Sequence, residues 1–226
     1  MMYYFYDWTM ILLVPAILLS LYAQIKVKST FARYAGIRSS QNMTADAVAR
    51  DILLRTEVDV PVERVSGRLT DHYDPRHKVL RLSDAVYGQS SIAAIAVAAH
   101  ECGHAVQDAR DYFPLKIRNA LVPVSTFGSN LAIPLVLFGF IFQFPPLVNI
   151  GIILYAAAVF FTVITLPVEF DASYMALRVL KKRSYLSPEE LTGAKKVLKA
   201  AALTYLAAAL AALMNLLRLI LLSRRR

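Results

Sequence analysis

The sequence predicts a mostly α-helical membrane protein, with about four transmembrane helices and a small α+β domain on the cytoplasmic side. Of its 226 residues, 57% are apolar, and the mean hydropathy is +0.48. A soluble domain is about 45–50% apolar, so this composition favours a membrane protein. The remaining observations are long uncharged runs and basic residues that cluster between them.

Three runs of apolar residues provide the candidate spans: residues 8–25, 119–168 and 200–222, the last interrupted only by Arg218. An arginine near a helix end can extend its charge to the membrane surface. The middle run is long enough for two crossings at about 20 residues each. Paired prolines and flanking amides in residues 143–149 predict the turn between these crossings. The first run lacks a basic leading segment and a clear cleavage site, so we interpret it as an uncleaved anchor.

The chain therefore divides into five predicted segments. These are an N-terminal transmembrane anchor (1–25), a cytoplasmic domain (26–118), a transmembrane hairpin (119–167), a cytoplasmic helical segment (168–199) and a C-terminal transmembrane helix with a basic tail (200–226).

Lysine and arginine counts predict the orientation of these segments. Residues 26–118 carry fourteen and residues 168–199 carry seven, whereas the turn at 143–149 carries none. Cytoplasmic loops are enriched in Lys and Arg, so both large segments should be cytoplasmic in a multi-pass cell-membrane protein. The arginine tail at 224–226 disagrees, because four crossings place it outside; the alternative is a last segment that folds back within the bundle. The net charge of +9 is thus explained by membrane orientation, and we expect no nucleic-acid partner.

Capping residues predict where the helices of the polar segments begin. Thr44 can cap a helix that runs through Arg55. Ser90 or Ser91 can cap a longer helix, and Ser187-Pro188 is a typical helix start followed by two acids.

Between the first two of these helices the pattern is typical of short strands. The extended pieces are residues 62–65, 68–73 and 78–82, and a short helical turn should begin at Ser83. Asp74-Pro75-Arg76-His77 is a turn signal, so the last two pieces should form a β-hairpin. The predicted order is helix, small sheet, then a third helix.

That third helix carries the sequence AAHECGHAVQ at residues 98–107. Residues four apart share a helix face, so His100 and His104 can bind one zinc ion. Glu101 lies about 100° round the helix and can reach a zinc-activated water as general base and acid. Gly103 removes a side chain, which would let another helix approach closely. The structural alternative is a helix whose histidines only make local hydrogen bonds.

A catalytic zinc usually takes three protein ligands, so a third is required. His72, His77 and the acids of the domain are candidates. Glu169 and Asp171 follow the third apolar span, and two crossings return the chain to the side where the histidines lie. We therefore favour Glu169 over the alternative of an ordinary acid at a membrane boundary.

Four sequence blocks together resemble the YugP-type membrane zinc metallopeptidases over nearly the whole chain. The blocks are HECGHAVQ (100–107), LTDHYDPR (69–76) with LRLS (80–83), LPVEFDAS (166–173) and LTY (203–205). The resemblance implies a gluzincin-like site with His100, His104 and Glu169 on zinc. Glu101 would be the general base and acid. The more distant HtpX-type peptidases have an aspartate where this chain has Ser173.

Other residues support weaker hypotheses. His72 or Tyr73, in the hairpin, could help hold the oxyanion, or could be purely structural, and zincin-like folds offer an edge strand there to an extended substrate. Tyr205, one turn into the last span, could donate to the tetrahedral intermediate, although tyrosines are common at membrane interfaces. We expect Cys102 to be a helix-packing residue.

The leading functional hypothesis is a membrane-bound zinc endopeptidase, with one zinc ion per chain and a peptide or protein substrate that includes membrane proteins. An intramembrane-cleaving protease is disfavoured, because the uncharged run before the motif is too short to cross a bilayer. A non-catalytic metal-binding scaffold is the alternative from another class. The sequence does not specify an oligomeric state.

Overall fold

The structure, a computed structural model, describes residues 8–224. It is mostly helical with a small sheet. In chain order, a 3-10 helix (Trp8–Leu13) leads into α1 (Val14–Ala35), followed by α2 (Ala45–Arg55), β1 (Val62–Val65), β2 (His72–Asp74), β3 (Val79–Ser83), α3 (Ile92–Ala109), α4 (Phe113–Ile141), α5 (Pro145–Lys182) and α6 (Pro188–Ser223). The last two arginines of the basic tail and the first seven residues of the predicted anchor lie outside the described residues.

Among the described residues 8–224, four helices are long and apolar enough to cross a membrane, as predicted. They are Trp8–Ala35, Phe113–Ile141, Pro145–Lys182 and Pro188–Ser223. The first helix continues ten residues beyond Ile25, where its uncharged run ends. Lysine and arginine are good helix formers, so the charges at Lys26 and Lys28 end the apolar run without ending the helix.

The turn between the two central spans is shorter than predicted. The interruption lies at Phe142–Phe144, and α5 already begins at Pro145. Prolines are tolerated in the first turn of a helix, where the missing N–H has no partner to lose. The paired prolines therefore start α5 and do not form part of the loop.

The structure divides into two compact units. One contains the described residues up to Ala23, Ile117–Leu166, and the described residues from Thr204; the other contains Gln24–Lys116 and Pro167–Leu203. Helices α1, α4, α5 and α6 each contribute residues to both units. We call the first unit the apolar unit. We call the second the motif unit, because it contains the whole of α3, the helix that carries His100 and His104.

The sheet of the motif unit has the order β1-β3-β2. β2 and β3 form the predicted antiparallel hairpin, and β1 pairs with β3 in parallel. The predicted extended piece at 68–73 is wrong over residues 68–71, where Leu69 has a φ of 59° and follows Gly67 with a φ of 112°. Such left-handed backbone cannot continue a strand. Lys78, with φ of 51°, likewise belongs to the turn.

Helix starts agree with the sequence. The side chain of Thr44 accepts from Ala47 N at α2, and that of Ser91 accepts from Ala94 N at α3. At α6, Ser187 Oγ accepts from Glu190 N while Glu190 Oε2 accepts from Ser187 N, which is a capping box.

The core of the motif unit surrounds α3, which packs on α2. Its buried side chains on α3 are mostly alanines, including Ala94, Ala98 and Ala105. Small side chains let neighbouring helices come close to the α3 backbone, so α3 is held on several sides. This packing fixes the position of the histidine motif.

Candidate metal centre

His100 and His104 lie one helical turn apart on α3. Their ring centroids are 4.8 Å apart and the rings are nearly perpendicular, at 82°. His104 is only 7% exposed. Burial alone lowers the pKa of His104, but a hydrogen bond that its ring donates to Glu169, together with the charge of Glu101, raises it above the usual value.

Within the motif unit, Gly103 allows α5 to approach α3 closely. A Cβ atom at Gly103 would lie 2.8 Å from the carbonyl oxygen of Ala172 and 3.0 Å from its Cα. Real Cβ atoms essentially never come this near to a backbone atom, so only glycine fits here. The predicted close approach is confirmed, and α5 is the element that makes it. Glu169 lies one turn before Ala172 on the same helix.

The three predicted ligands come together in the structure. Glu169 Oε2 lies 3.3 Å from His100 Nε2 and 3.5 Å from His104 Nε2, and Glu169 is only 2% exposed. All three potential ligand atoms lie within 4.8 Å of one another. In a zinc tetrahedron with bonds of about 2.0–2.1 Å, neighbouring ligand atoms are about 3.3–3.4 Å apart. The two separations from Glu169 Oε2 fit this geometry.

The Nδ1 atoms of both histidines, which point away from Glu169, have hydrogen-bond partners. His104 Nδ1 lies 3.0 Å from Gln107 Oε1, and His100 Nδ1 lies 3.1 Å from Ser173 Oγ. A histidine ligand to zinc commonly donates its other ring N–H to such an oxygen. Because Nδ1 of each ring is engaged in this way, Nε2 of each ring faces Glu169. The two histidines, Glu169 and their hydrogen-bond partners thus fit a zinc ion.

Glu101 lies next to His100 and is 9% exposed. Its Oε2 accepts a hydrogen bond of 3.1 Å from the backbone N–H of Tyr73 in β2. β2 is at an edge of the sheet, and this N–H donates to Glu101 on α3 rather than to a strand. The edge strand therefore runs beside the carboxylate that follows the first histidine.

Asp71, just before β2, lies near the same carboxylate. Its oxygens accept from Ser83 N at 2.7 Å and from Ser83 Oγ at 2.9 Å. Burial raises the pKa of Asp71, and the charge of Glu101 adds to this effect. The two hydrogen bonds fix the start of β2 against Ser83, at the end of β3.

The other candidates for the third ligand form hydrogen bonds or ion pairs away from the two histidines. His72 is exposed, with Nδ1 2.8 Å from the carbonyl oxygen of Thr70. His77 is also exposed and pairs with Asp74 at 2.7 Å. Asp171 accepts a hydrogen bond of 2.8 Å from Gln107 Nε2. None of these three belongs to the convergent group found among residues 8–224.

Two further predicted residues have different outcomes. Cys102 is fully buried and its Sγ donates to the carbonyl oxygen of Ala49, in keeping with a packing role. Burial raises the pKa of its thiol, so it is a poor nucleophile. Tyr205 is half-buried on α6 in the apolar unit. Its role in holding a tetrahedral intermediate stays a prediction, as does that of His72.

Gln107 is the residue that the sequence analysis did not single out. It is only 2% exposed, although amides are mostly found at protein surfaces. It lies three residues after His104, hence on the same helix face, and this spacing was the available signal. Ser173 was noticed only as a departure from more distant peptidases.

Comparisons with known proteins agree on one family. The family described as "Putative neutral zinc metallopeptidase" matches residues 9–224. The chain is 48% identical over 210 residues to "Putative membrane protease YugP" from Bacillus subtilis (strain 168), which covers 92% of this chain and 93% of that protein. No solved structure matches the chain.

Proposed function

The chain belongs to the family of neutral zinc metallopeptidases, and on that premise we propose that it is a membrane-bound zinc metalloendopeptidase that hydrolyses peptide bonds at the cytoplasmic membrane surface. The observation that carries the proposal is the convergence of His100, His104 and Glu169 beside Glu101. We assign one zinc ion per chain to these three ligands. The relative from Bacillus subtilis is named as a membrane protease, which agrees with this class of reaction.

When bound, zinc would supply a water molecule with a pKa lowered toward about 7 and would polarise the scissile carbonyl. Glu101 takes the proton of the attacking water and passes it to the leaving amine. Its burial and its position directly after His100 suit this role, since proton transfer requires hydrogen-bond reach. The hydrogen bond from Tyr73 N holds the carboxylate before substrate binds.

The substrate would lie as an extended peptide along β2, in the manner of a zincin-like fold. β2 is an edge strand, and such strands can add a further strand through main-chain hydrogen bonds. Its N–H at Tyr73 already faces the carboxylate of Glu101. A peptide paired with this edge would therefore run past the metal centre.

The cytoplasmic side follows from the distribution of Lys and Arg, which are concentrated in residues 26–118 and 168–199. The helix that carries the motif, α3, is not among the four membrane-spanning candidates in residues 8–224. This favours cleavage at the surface over cleavage within the bilayer. Peptides and proteins, including membrane proteins, are the proposed substrates.

Casein degradation and zinc content, measured together on detergent-purified protein, test the proposal. We expect the wild type to hold about one zinc ion and to show chelator-sensitive proteolysis. Glu101→Gln should keep the zinc and lose activity by about 10²–10⁴-fold, the usual contribution of a general acid-base. Glu57→Gln, which changes an exposed glutamate two residues after α2, is the matched control and should keep both.

Chelator-sensitive proteolysis that survives Glu101→Gln would overturn the catalytic assignment. Zinc binding without any proteolysis in the wild type would favour the non-catalytic scaffold instead. The same assay on sealed vesicles tests the membrane side. Inside-out vesicles should degrade added casein, and activity only in right-side-out vesicles would reverse the orientation.

A further inference from the structure

Gln107 uses all of its strong hydrogen-bonding groups inside the motif unit. A glutamine amide has two N–H donors and a carbonyl oxygen that accepts. Nε2 donates to the carbonyl oxygen of Val168 at 2.9 Å and to Asp171 Oδ2 at 2.8 Å. Oε1 lies 3.0 Å from His104 Nδ1. One buried side chain therefore joins a histidine on α3 to two groups on α5.

These partners fix which way the amide points. Val168 O and Asp171 Oδ2 are both acceptors, so a flipped amide would place its own oxygen against two other oxygens. Buried oxygens without donors are costly, which excludes the flipped orientation. Oε1 must therefore face His104, and an acceptor there requires a proton on Nδ1 of that histidine.

We propose that Gln107 is a positioning residue for His104. Val168 O and Asp171 fix the direction of the Gln107 amide, and that amide in turn fixes the orientation of the His104 ring. The inference rests on the proposed zinc site. With Nδ1 protonated, a neutral His104 has its lone pair on Nε2, which lies 3.5 Å from Glu169 Oε2. Two lone pairs at this separation repel each other unless a proton or a metal ion lies between them. Gln107 thus makes His104 a ready ligand.

The second histidine lacks this arrangement. Ser173 Oγ, at 3.1 Å from His100 Nδ1, can either donate or accept because a hydroxyl does both. Ser173 therefore does not select the protonated nitrogen of His100. Both partners join α3 to α5, but Gln107 does so through three hydrogen bonds, whereas Ser173 Oγ contributes the one to His100. The two histidines should depend unequally on their partners.

Zinc affinity, measured by chelator competition on the full chain in detergent, tests the proposal. Gln107→Ala should weaken zinc binding by about 10–100-fold, as expected for the partner of a metal-bound histidine. Gln107→Glu fills the same space but loses both donors and faces Asp171 with a second carboxylate. It should be as damaging as alanine. The matched control is Gln41→Ala, which removes an exposed glutamine and should change nothing.

A double-mutant cycle separates this transmission from simple packing. Asp171→Ala should weaken zinc binding in the wild type but add nothing in the Gln107→Ala background, because the two residues act in series. Additive losses, or a Gln107→Glu variant with wild-type affinity, would overturn the proposal. A wild type that binds no zinc would instead contradict the proposed function.

A measurement on the unaltered chain covers the case in which the variants fail to fold. Ring ¹⁵N chemical shifts of the metal-free wild type, at a pH where His104 is neutral, report which nitrogen carries the proton. A proton on Nδ1 supports the proposal, and a proton on Nε2 contradicts it.

Discussion

Two glycines show how the same backbone contact serves different purposes in the two units. A Cβ atom at Gly103 in the motif unit would lie 2.8 Å from the carbonyl oxygen of Ala172. A Cβ atom at Gly128 in the apolar unit would lie 2.8 Å from the carbonyl oxygen of Leu154. In both cases a helix meets α5 at a distance that only glycine allows.

The surroundings of the two contacts differ. Around Gly103 lie buried polar side chains, among them His104, Gln107 and Glu169. Gly128 lies among small polar residues of α4, namely Ser125, Thr126 and Ser129, and faces the apolar stretch of α5 at Leu154, which suits close packing of helices in lipid. We expect the first contact to position the candidate metal ligands and the second only to pack helices. Substitutions in the two units should therefore separate effects on zinc from effects on stability.

The largest difference is expected between Gly103→Ala and Gly128→Ala. Each new methyl group must displace a backbone oxygen, so each should cost about 1–3 kcal/mol by overpacking. The gain in helix propensity from Gly to Ala, about 1 kcal/mol, is common to both. Only Gly103→Ala moves α5 against the histidines, and we expect its zinc affinity to fall on the order of 100-fold.

Thermal unfolding and chelator competition on both variants check this comparison. Similar losses of stability, with zinc affinity lowered in Gly103→Ala alone, would support it. Equal zinc affinities in the two variants would mean that the close approach of α5 does not position Glu169.

A smaller difference is expected between two serines. Ser173→Ala removes the partner of His100 Nδ1, and water can replace it because the site is only half-buried there. Zinc affinity should fall by no more than about tenfold, the low end for such partners. Ser129→Ala removes a hydroxyl that only bonds to the backbone of its own helix, at Ser125 O. It should leave zinc affinity unchanged, and a larger effect than that of Ser173→Ala would contradict the account.

Much of the fold could be predicted from local signals. The side chains of Thr44 and Ser91 cap their helices because each needs only its own first turn. The apolar runs identified four long helices for the same local reason. The strand predicted at 68–73 failed because alternation of side chains does not reveal the positive φ of Leu69. The paired prolines were assigned to a loop although they begin α5.

The candidate site was predictable as far as residue type and topology allow. His100 and His104 follow from helical spacing, and Glu169 follows from counting two crossings. Gln107 was missed because its importance depends on Val168 and Asp171, which are distant in sequence. Hydrogen bonds between residues more than sixty positions apart leave no local pattern. Only the packing of α3 on α5 reveals them.

The zinc content of the wild type and of Glu169→Gln tests the central claim most directly. The substitution keeps the size of the side chain but removes the charge that faces Nε2 of both histidines. We predict about one zinc ion per wild-type chain after purification in detergent, and substantially less in Glu169→Gln after the same chelator wash. The same zinc content in both proteins, or no zinc in the wild type, would contradict the assignment of this metal centre.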